Sequence, residues 1–478
     1  MNEFTQPNSA AASEAQQPTE VVIDVGPVAH GGHCVARYQG RVIFVRHAVP
    51  GEKVKVRITD AGENAKFWRA DTIEVLAADP ERVEHFWHAA DPLRTWANGH
   101  APVGGAEFGH MTLAKQRELK AAVLTEQLQR LAGLDVSVEV QGVGVAPSEP
   151  SGTGPDAASD AGSRLGASGT EGLGWRTRAA YSMTRGGRLG MHAHRSEDIL
   201  AVREMPLAVQ AINDLALWDL DLDGITRVEV AAPANGSAPL VLLVPAAGTK
   251  PRRLRMLAAQ VPGDASVAAL DAATGAVTQL RGRTWLQETA AGHDYRVSGG
   301  GFWQIHKAGP DTLVAAVLEL LTGAGHLRDG SSVADLYAGA GLFTVPLAAA
   351  VGESGTVLSI EGAAGSSRDA RKNVRGAAQV EIIEGRVEKV LRSAQRSFDS
   401  IVLDPPRAGA GKAVIGQLLA SAPKAIAYVS CDPASFARDV GYVQEGGWEL
   451  SELRAFDLYP HTHHLETVAL LTPKGATP

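Results

Sequence analysis

The sequence predicts an α/β protein: a doubly wound, mostly parallel sheet in its C-terminal part, preceded by a small β-barrel of the oligonucleotide-binding type and a mixed α/β module. Three observations carry this expectation. At 478 residues the chain exceeds what one hydrophobic core serves, so two or three domains are expected. From Val21 to about residue 78, short runs of alternating residues (VVIDV, HCVARY, RVIFVRHAV, EKVKVRI, FWRADTIEVL) are separated by turns containing Gly, Pro and Asp, the texture of a small barrel. After Arg296, strand-like and helix-like stretches alternate, as a doubly wound sheet requires.

Residues 1–20 are rich in Ala, Ser, Gln and Glu, have little to bury, and read as a disordered tail. The barrel spans 21–78, and Tyr38, Phe44, Phe67 and Trp68 in its strands are either core residues or stacking platforms for bases. A central module follows over 79–292. Within it, Met111 to Leu134 has apolar residues at helical spacing and Gly133 as a stop. Residues 146–172 hold almost no large apolar side chain and read as a flexible insertion. Strand-like runs then return (TRAAYSMT, RLGMHAH, ILAVREM, RVEVAAP, LVLLVPA). The last domain, 293–478, carries SVADLY, GTVLSIE, VEIIEG, SIVLDPP and AIAYVSC as strands, with LSELRAFDLY and TVALLTP closing it.

Composition excludes several classes. No apolar run is long enough to span a bilayer, and the N-terminus lacks the basic-then-apolar order of a secretory signal, so a cytoplasmic protein is expected. Two cysteines, Cys34 and Cys431, do not make a disulfide framework or a four-cysteine metal site. The net charge of -8 argues against coating nucleic acid by bulk electrostatics. Between Val28 and Ala70, however, eight basic residues face three acids, which fits a module that docks a folded nucleic acid, or a solvated face of a small β domain.

The chemistry gathers at the carboxyl ends of the C-terminal strands, where doubly wound sheets bind ligands. Gly339 and Gly341 follow the first strand and let a ligand's polar end approach the turn, although such a pair also serves as a packing turn. Glu361 ends the next strand, where a carboxylate accepts bonds from both ribose hydroxyls. Asp404, Pro405 and Pro406 form a rigid turn after a later strand, a device that hydride-transfer enzymes do not need. Cys431 ends the strand after that, a core thiol or a nucleophile by type and a nucleophile by position. Glu466 is the base candidate. His461, His463 and His464 precede it, but adjacent and alternate positions do not converge on a metal, and none is expected. Cys34 reads as a core residue.

As an ordered set, FWQIH, DLYAGAGLF, LDPPRAG, YVSCDPASFARD and LYPHTHHLETV resemble the S-adenosylmethionine-dependent RNA uracil-5 methyltransferases, and GHCVARYQGRVIFVRHAVPGEKV resembles their N-terminal TRAM domain. The resemblance implies a Rossmann-like class I methyltransferase domain with an N-terminal OB-type β-barrel and a central α+β domain. It implies S-adenosyl-L-methionine as donor, contacted by Gln304, Tyr337, Glu361 and Asp404, with Cys431 as nucleophile, Glu466 as general base and ribosomal or transfer RNA as partner. Carbon 5 of uracil is too poor a nucleophile to attack a sulfonium methyl unaided, and thiolate addition at carbon 6 makes it an enolate carbon. The target uridine must then leave its stack or come from a loop.

Three departures stand out. Many members carry an iron–sulfur cluster on cysteines where this chain has Ala97, Val103 and Ala106, so no cluster is expected. The frequent Asn after the catalytic cysteine is Asp432 here, and a further acidic donor contact appears as Arg386. Two rival readings remain at this level: an amino-group methyltransferase using the DPP turn, with no need for Cys431, and a non-catalytic RNA-binding factor.

Overall fold

A computed structural model of the chain describes residues 19–62, 65–144, 171–194, 196–394 and 396–475. The expected tail (apart from its last two residues) and all but the last two residues of the expected insertion lie outside them. The chain divides into two compact units: residues 1–29 with 33–80, and residues 30–32 with 81–478.

The smaller unit is a curled five-stranded half-barrel sheet in the order Glu20–Asp24, Lys53–Asp60, Phe67–Ala77, Arg41–Arg46, Cys34–Tyr38. Alternation puts Val21, Ile23, Cys34, Ala36, Ile43, Val45, Val54 and Val56 on the inner face with Trp68. Cys34 and Trp68 are core residues, and the Cys34 thiol lies 3.4 Å from the Ala48 carbonyl. Much of the local basic excess is internally balanced. Arg46 makes two bonds to buried Asp71, Lys55 and Arg57 share Glu20, and Arg69 meets Asp60. Glu20 and Asp71 lie just outside the stretch in which the charges were counted, so counting alone overstates the free positive charge.

In the larger unit a long helix, α1 (Leu113–Ala132), is capped by the Thr112 hydroxyl at one end and by Gly133 in the left-handed region at the other. A seven-stranded central sheet packs on Trp175, Tyr181, Leu207, Leu243 and their neighbours. Its strands include Arg178–Met183, Leu189–His192, Ile225–Ala231 and Leu240–Pro245, and also Ser266–Leu270 and Val277–Arg281, which the sequence reading passed over. A hairpin of Trp285–Ala290 and His293–Ser298 leads into the last sheet.

That sheet is built from β1 (Ser332–Leu336), β2 (Thr356–Glu361), β3 (Val380–Glu384), β4 (Ser400–Leu403), β5 (Ala425–Ser430), β6 (Trp448–Asp457) and β7 (Glu466–Pro473). Their order is β3-β2-β1-β4-β5-β7-β6, extended by Val140–Gly142 alongside β6. The first five strands are mutually parallel and β7 runs antiparallel to both neighbours. Runs such as SIVL and AIAYVS are buried at every residue, as strands covered on both faces must be. Strand order reverses between β1 and β4, and loops after both open one crevice there.

Candidate active site

Tyr337 leaves β1 with φ 61, unusual for a side chain with a Cβ, and its backbone turns the chain toward Gly339 and Gly341 at φ 58 and 90. An added Cβ at Gly339 would meet nothing within 4 Å, so that side of the turn is open space. Glu361 braces the turn: its Oε2 accepts the Gly339 amide at 2.8 Å and its Oε1 the Ala363 amide at 2.6 Å. The parallel pairing of Leu336 with Ile360 sets Tyr337 beside Glu361.

Asp404 follows β4 and its amide donates to the Leu336 carbonyl, which joins the two sides of the crevice. Gln304 is buried and donates to Asp404 Oδ2 at 3.4 Å. Burial and then the nearby Asp335 carboxylate push the Asp404 carboxyl up to about 7. Asp335 is itself raised to about 7, chiefly by burial; Thr344 donates to its Oδ2, and its Oδ1 has no partner. After Pro406 the loop is fixed by Asp439, which accepts from the Ala410 and Gly411 amides and the Tyr428 hydroxyl. Gly409 packs so closely there that a Cβ would lie 2.6 Å from Asp439.

Cys431 sits one residue beyond β5 and just ahead of the helix Pro433–Glu445, α2, whose N-cap is Asp432. The antiparallel register pairs Ser430 with Thr467, so one further step sets Cys431 opposite Glu466. Burial, then Glu466 and Asp404, push the thiol up to about 12. Glu466 is 3% exposed; Tyr459 donates to its Oε1 at 3.0 Å and its Oε2 has no partner. Burial, then Asp404, raises Glu466 to about 8. Three acidic groups and a thiol thus share a buried crevice in which each holds its proton to a higher pH than it would in water, and a positive charge there would favour their ionisation.

The three histidines do different things, and they lie in a turn before β7, not on a strand. His461, at φ 66, donates its amide to Gln116 of α1. His463 pairs with Glu107, and His464 lies 3.2 Å from Arg407. Among the described residues no group of His, Cys, Asp and Glu could hold a metal. Lys120 of α1 donates to buried Asp457 and to the Tyr459 carbonyl, so with Gln116 it anchors the segment that presents Tyr459 to Glu466. Val103 and Ala106 are buried in the central core and offer no thiolate.

Sequence reasoning named Gln304, Tyr337, Gly339, Gly341, Glu361, Asp404, Cys431 and Glu466, and all of them lie at this crevice or its rim. It passed over Asp335, Arg407 and Tyr459. Each stands inside a quoted motif (DLYAGAGLF, LDPPRAG, LYPHTHHLE), which was the available signal. Arg386 follows β3 at the same carboxyl edge of the sheet, where its exposed side chain pairs with Glu388.

Residues 293–474 match the family described as tRNA (Uracil-5-)-methyltransferase, and residues 15–67 match the TRAM domain. An uncharacterized RNA methyltransferase of Streptomyces avermitilis is 40% identical over 95% of this chain and 98% of its own length. The 23S rRNA (uracil(1939)-C(5))-methyltransferase RlmD of Shewanella piezotolerans is 26% identical over 95% of this chain and 96% of its own. The crystal structure of Pyrococcus abyssi tRNA (uracil-54, C5)-methyltransferase with S-adenosyl-L-homocysteine is 21% identical, covers 95% of this chain and 100% of that one, and has a TM-score of 0.66, which establishes the shared fold.

Proposed function

The chain belongs to the S-adenosylmethionine-dependent RNA uracil-5 methyltransferases, and from that premise we propose that it methylates carbon 5 of a uridine in ribosomal or transfer RNA through a covalent adduct on Cys431. S-Adenosylmethionine, when bound, supplies an electrophilic methyl group. The crevice suits such a donor: the open side of the Gly339 turn leaves room for it, and Glu361, Gln304 and Asp404 would hold it, Glu361 as acceptor for its ribose hydroxyls. Tyr337 and Gly341 complete the turn.

Cys431 as a thiolate adds to carbon 6, and the electron pair of the 5,6 double bond moves onto carbon 5 and the adjoining carbonyl. Carbon 5 takes the methyl group. Glu466, as carboxylate, removes the remaining proton from carbon 5, and elimination restores the double bond and frees Cys431. A positive charge nearby lowers the carboxyl and thiol pKa values that burial has raised, so ionisation is coupled to a filled site. Tyr459 keeps one Glu466 oxygen occupied and leaves the other for the proton.

The observation that supports this reading is the pairing of Ser430 with Thr467, which brings a thiol and a carboxyl together at the crevice. Ala97, Val103 and Ala106 supply no cluster ligands, so the enzyme works without an iron–sulfur centre. No helix among the described residues is long and apolar enough to cross a membrane, and a cytoplasmic enzyme acting on RNA fits. Mapping 5-methyluridine in total RNA from a deletion strain tests the function. A single position loses the modification and regains it with the wild-type gene but not with Cys431→Ala; an unchanged map rejects the proposal.

A further inference from the structure

Asp432 sets a carboxylate one residue from the nucleophile, and a negative charge there makes a thiolate harder to form. Its Oδ1 accepts the Ser435 amide at 2.8 Å and caps α2. Its Oδ2 meets His30 Nε2 at 2.9 Å. His30 to Gly32 are part of the larger unit, and with Arg407, Cys431, Asp432 and His463 they line a cavity of about 200 Å³. The approach is tight. Gly32 has φ +77, and a Cβ added to it would lie 2.4 Å from the Cβ of His463, so only glycine lets this segment settle there.

The charges of the two partners agree. Burial pushes the Asp432 carboxyl up, but the bonds from His30 and Ser435 outweigh it and bring it down to about 2. The bond to Asp432 raises His30 above its ordinary value, against partial burial. Arg130 and Glu126 also face His30, while Glu466, Asp404 and Arg407 face Cys431. Lys120 and His464 complete the charged or titratable lining of the cavity.

We propose that His30 is a positioning residue for methyl transfer: its imidazolium holds Asp432 against the start of α2 and neutralises the charge that Asp432 would otherwise set beside the Cys431 thiolate. This rests on Cys431 being the nucleophile. The acid next to the thiol is then tolerated only as half of an ion pair, and Asp432 has both oxygens engaged, so it caps and does not read the pyrimidine edge.

The test uses the full-length protein and four variants: His30→Ala, His30→Gln, Asp432→Asn and His30→Ala with Asp432→Asn. Iodoacetamide alkylation of the Cys431 peptide is followed against pH by mass spectrometry, which separates it from Cys34, and single-turnover methylation of RNA is measured alongside. His30→Ala and His30→Gln are expected to slow Cys431 alkylation roughly tenfold at any given pH below the thiol midpoint, the thiolate lost to an upward shift of about one unit. Methyl transfer slows by a similar factor with donor affinity unchanged. The double variant returns both readouts to near the wild type, because a neutral amide still caps α2 and needs no counter-charge. A purely structural role gives no such rescue. The proposal is overturned if His30→Gln alkylates as the wild type does, or if the double variant stays as slow as His30→Ala. Methylation by a Cys431→Ala variant would instead overturn the nucleophile assignment, and the alkylation curves would still report on His30.

Discussion

Cys431 and Glu466 stand opposite each other because β5 and β7 are antiparallel and Ser430 pairs with Thr467. The two residues are 35 positions apart in sequence, yet a single ladder sets their separation. A one-residue slip would turn Glu466 to the other face of the sheet, and burial of β7 on both faces opposes any slip. The thiol is thereby placed beside a carboxyl that is protonated at neutral pH in the ligand-free protein, which spares the crevice two adjacent negative charges.

Covalent catalysis is tested with RNA bearing 5-fluorouridine. Carbon 5 accepts the methyl group and the reaction then stalls before elimination, because fluorine does not leave as a proton, and the wild type is expected to form a complex that survives denaturing electrophoresis. Cys431→Ala gives no such band. Glu466→Gln accumulates an adduct even with ordinary uridine, since it adds and methylates but eliminates slowly. Near-normal methylation by Cys431→Ala rules out the nucleophile and favours amino-group transfer.

Donor binding should depend on Glu361. Removing a charged hydrogen-bond acceptor costs roughly 1.5–3 kcal/mol, and Glu361→Ala is expected to weaken S-adenosylmethionine binding by that amount. Part of the loss comes through the Gly339 and Ala363 amides, which Glu361 also holds. An unchanged dissociation constant by calorimetry removes Glu361 from the donor site.

Iron content is a direct check on the cluster-free reading. With Ala97, Val103 and Ala106 in the segment, the purified protein is expected to be colourless and to hold no stoichiometric iron. A visible charge-transfer band together with bound iron contradicts this.

Stability should fall as pH rises from about 6.5 to 8.5. Asp335 and Asp404 are raised to about 7 and Glu466 to about 8, so in this window the native state still holds protons that the unfolded chain has already lost. Below it, His85, His306, His461 and His464 act in the opposite direction. Burial lowers them, the unfolded chain takes up protons first, and their contribution drops with falling pH, which there offsets the opposite slope of the three raised carboxyls. Glu466→Gln removes one of the raised acids and is expected to flatten the upper limb of a melting-temperature profile measured without donor. An upper limb unchanged in Glu466→Gln shows that Glu466 does not titrate there.

The sequence by itself determined the local elements and the identities of the reactive groups. Strict alternation in EKVKVRI makes a strand with one buried face, continuous apolar runs such as AIAYVS make strands buried on both, and Thr112 with Gly133 bounds α1 within two residues of the expected ends. Glycines, prolines and a lone cysteine at strand ends marked the crevice because few other positions need those residues. What only the tertiary structure decided are relations between distant segments. Asp71 neutralises Arg46 from another strand, Lys120 and Gln116 of α1 anchor the turn that carries Tyr459, and Glu107 occupies His463. Asp335, silent in sequence as one letter of DLYAGAGLF, becomes a titrating group only when burial strips its water. Likewise Asp432 looked like a departure at the base-reading edge until His30, 402 positions away, supplied its counter-charge. Sequence patterns record the periodicity of a residue's own element, whereas charge, desolvation and proton affinity depend on which other elements close over it.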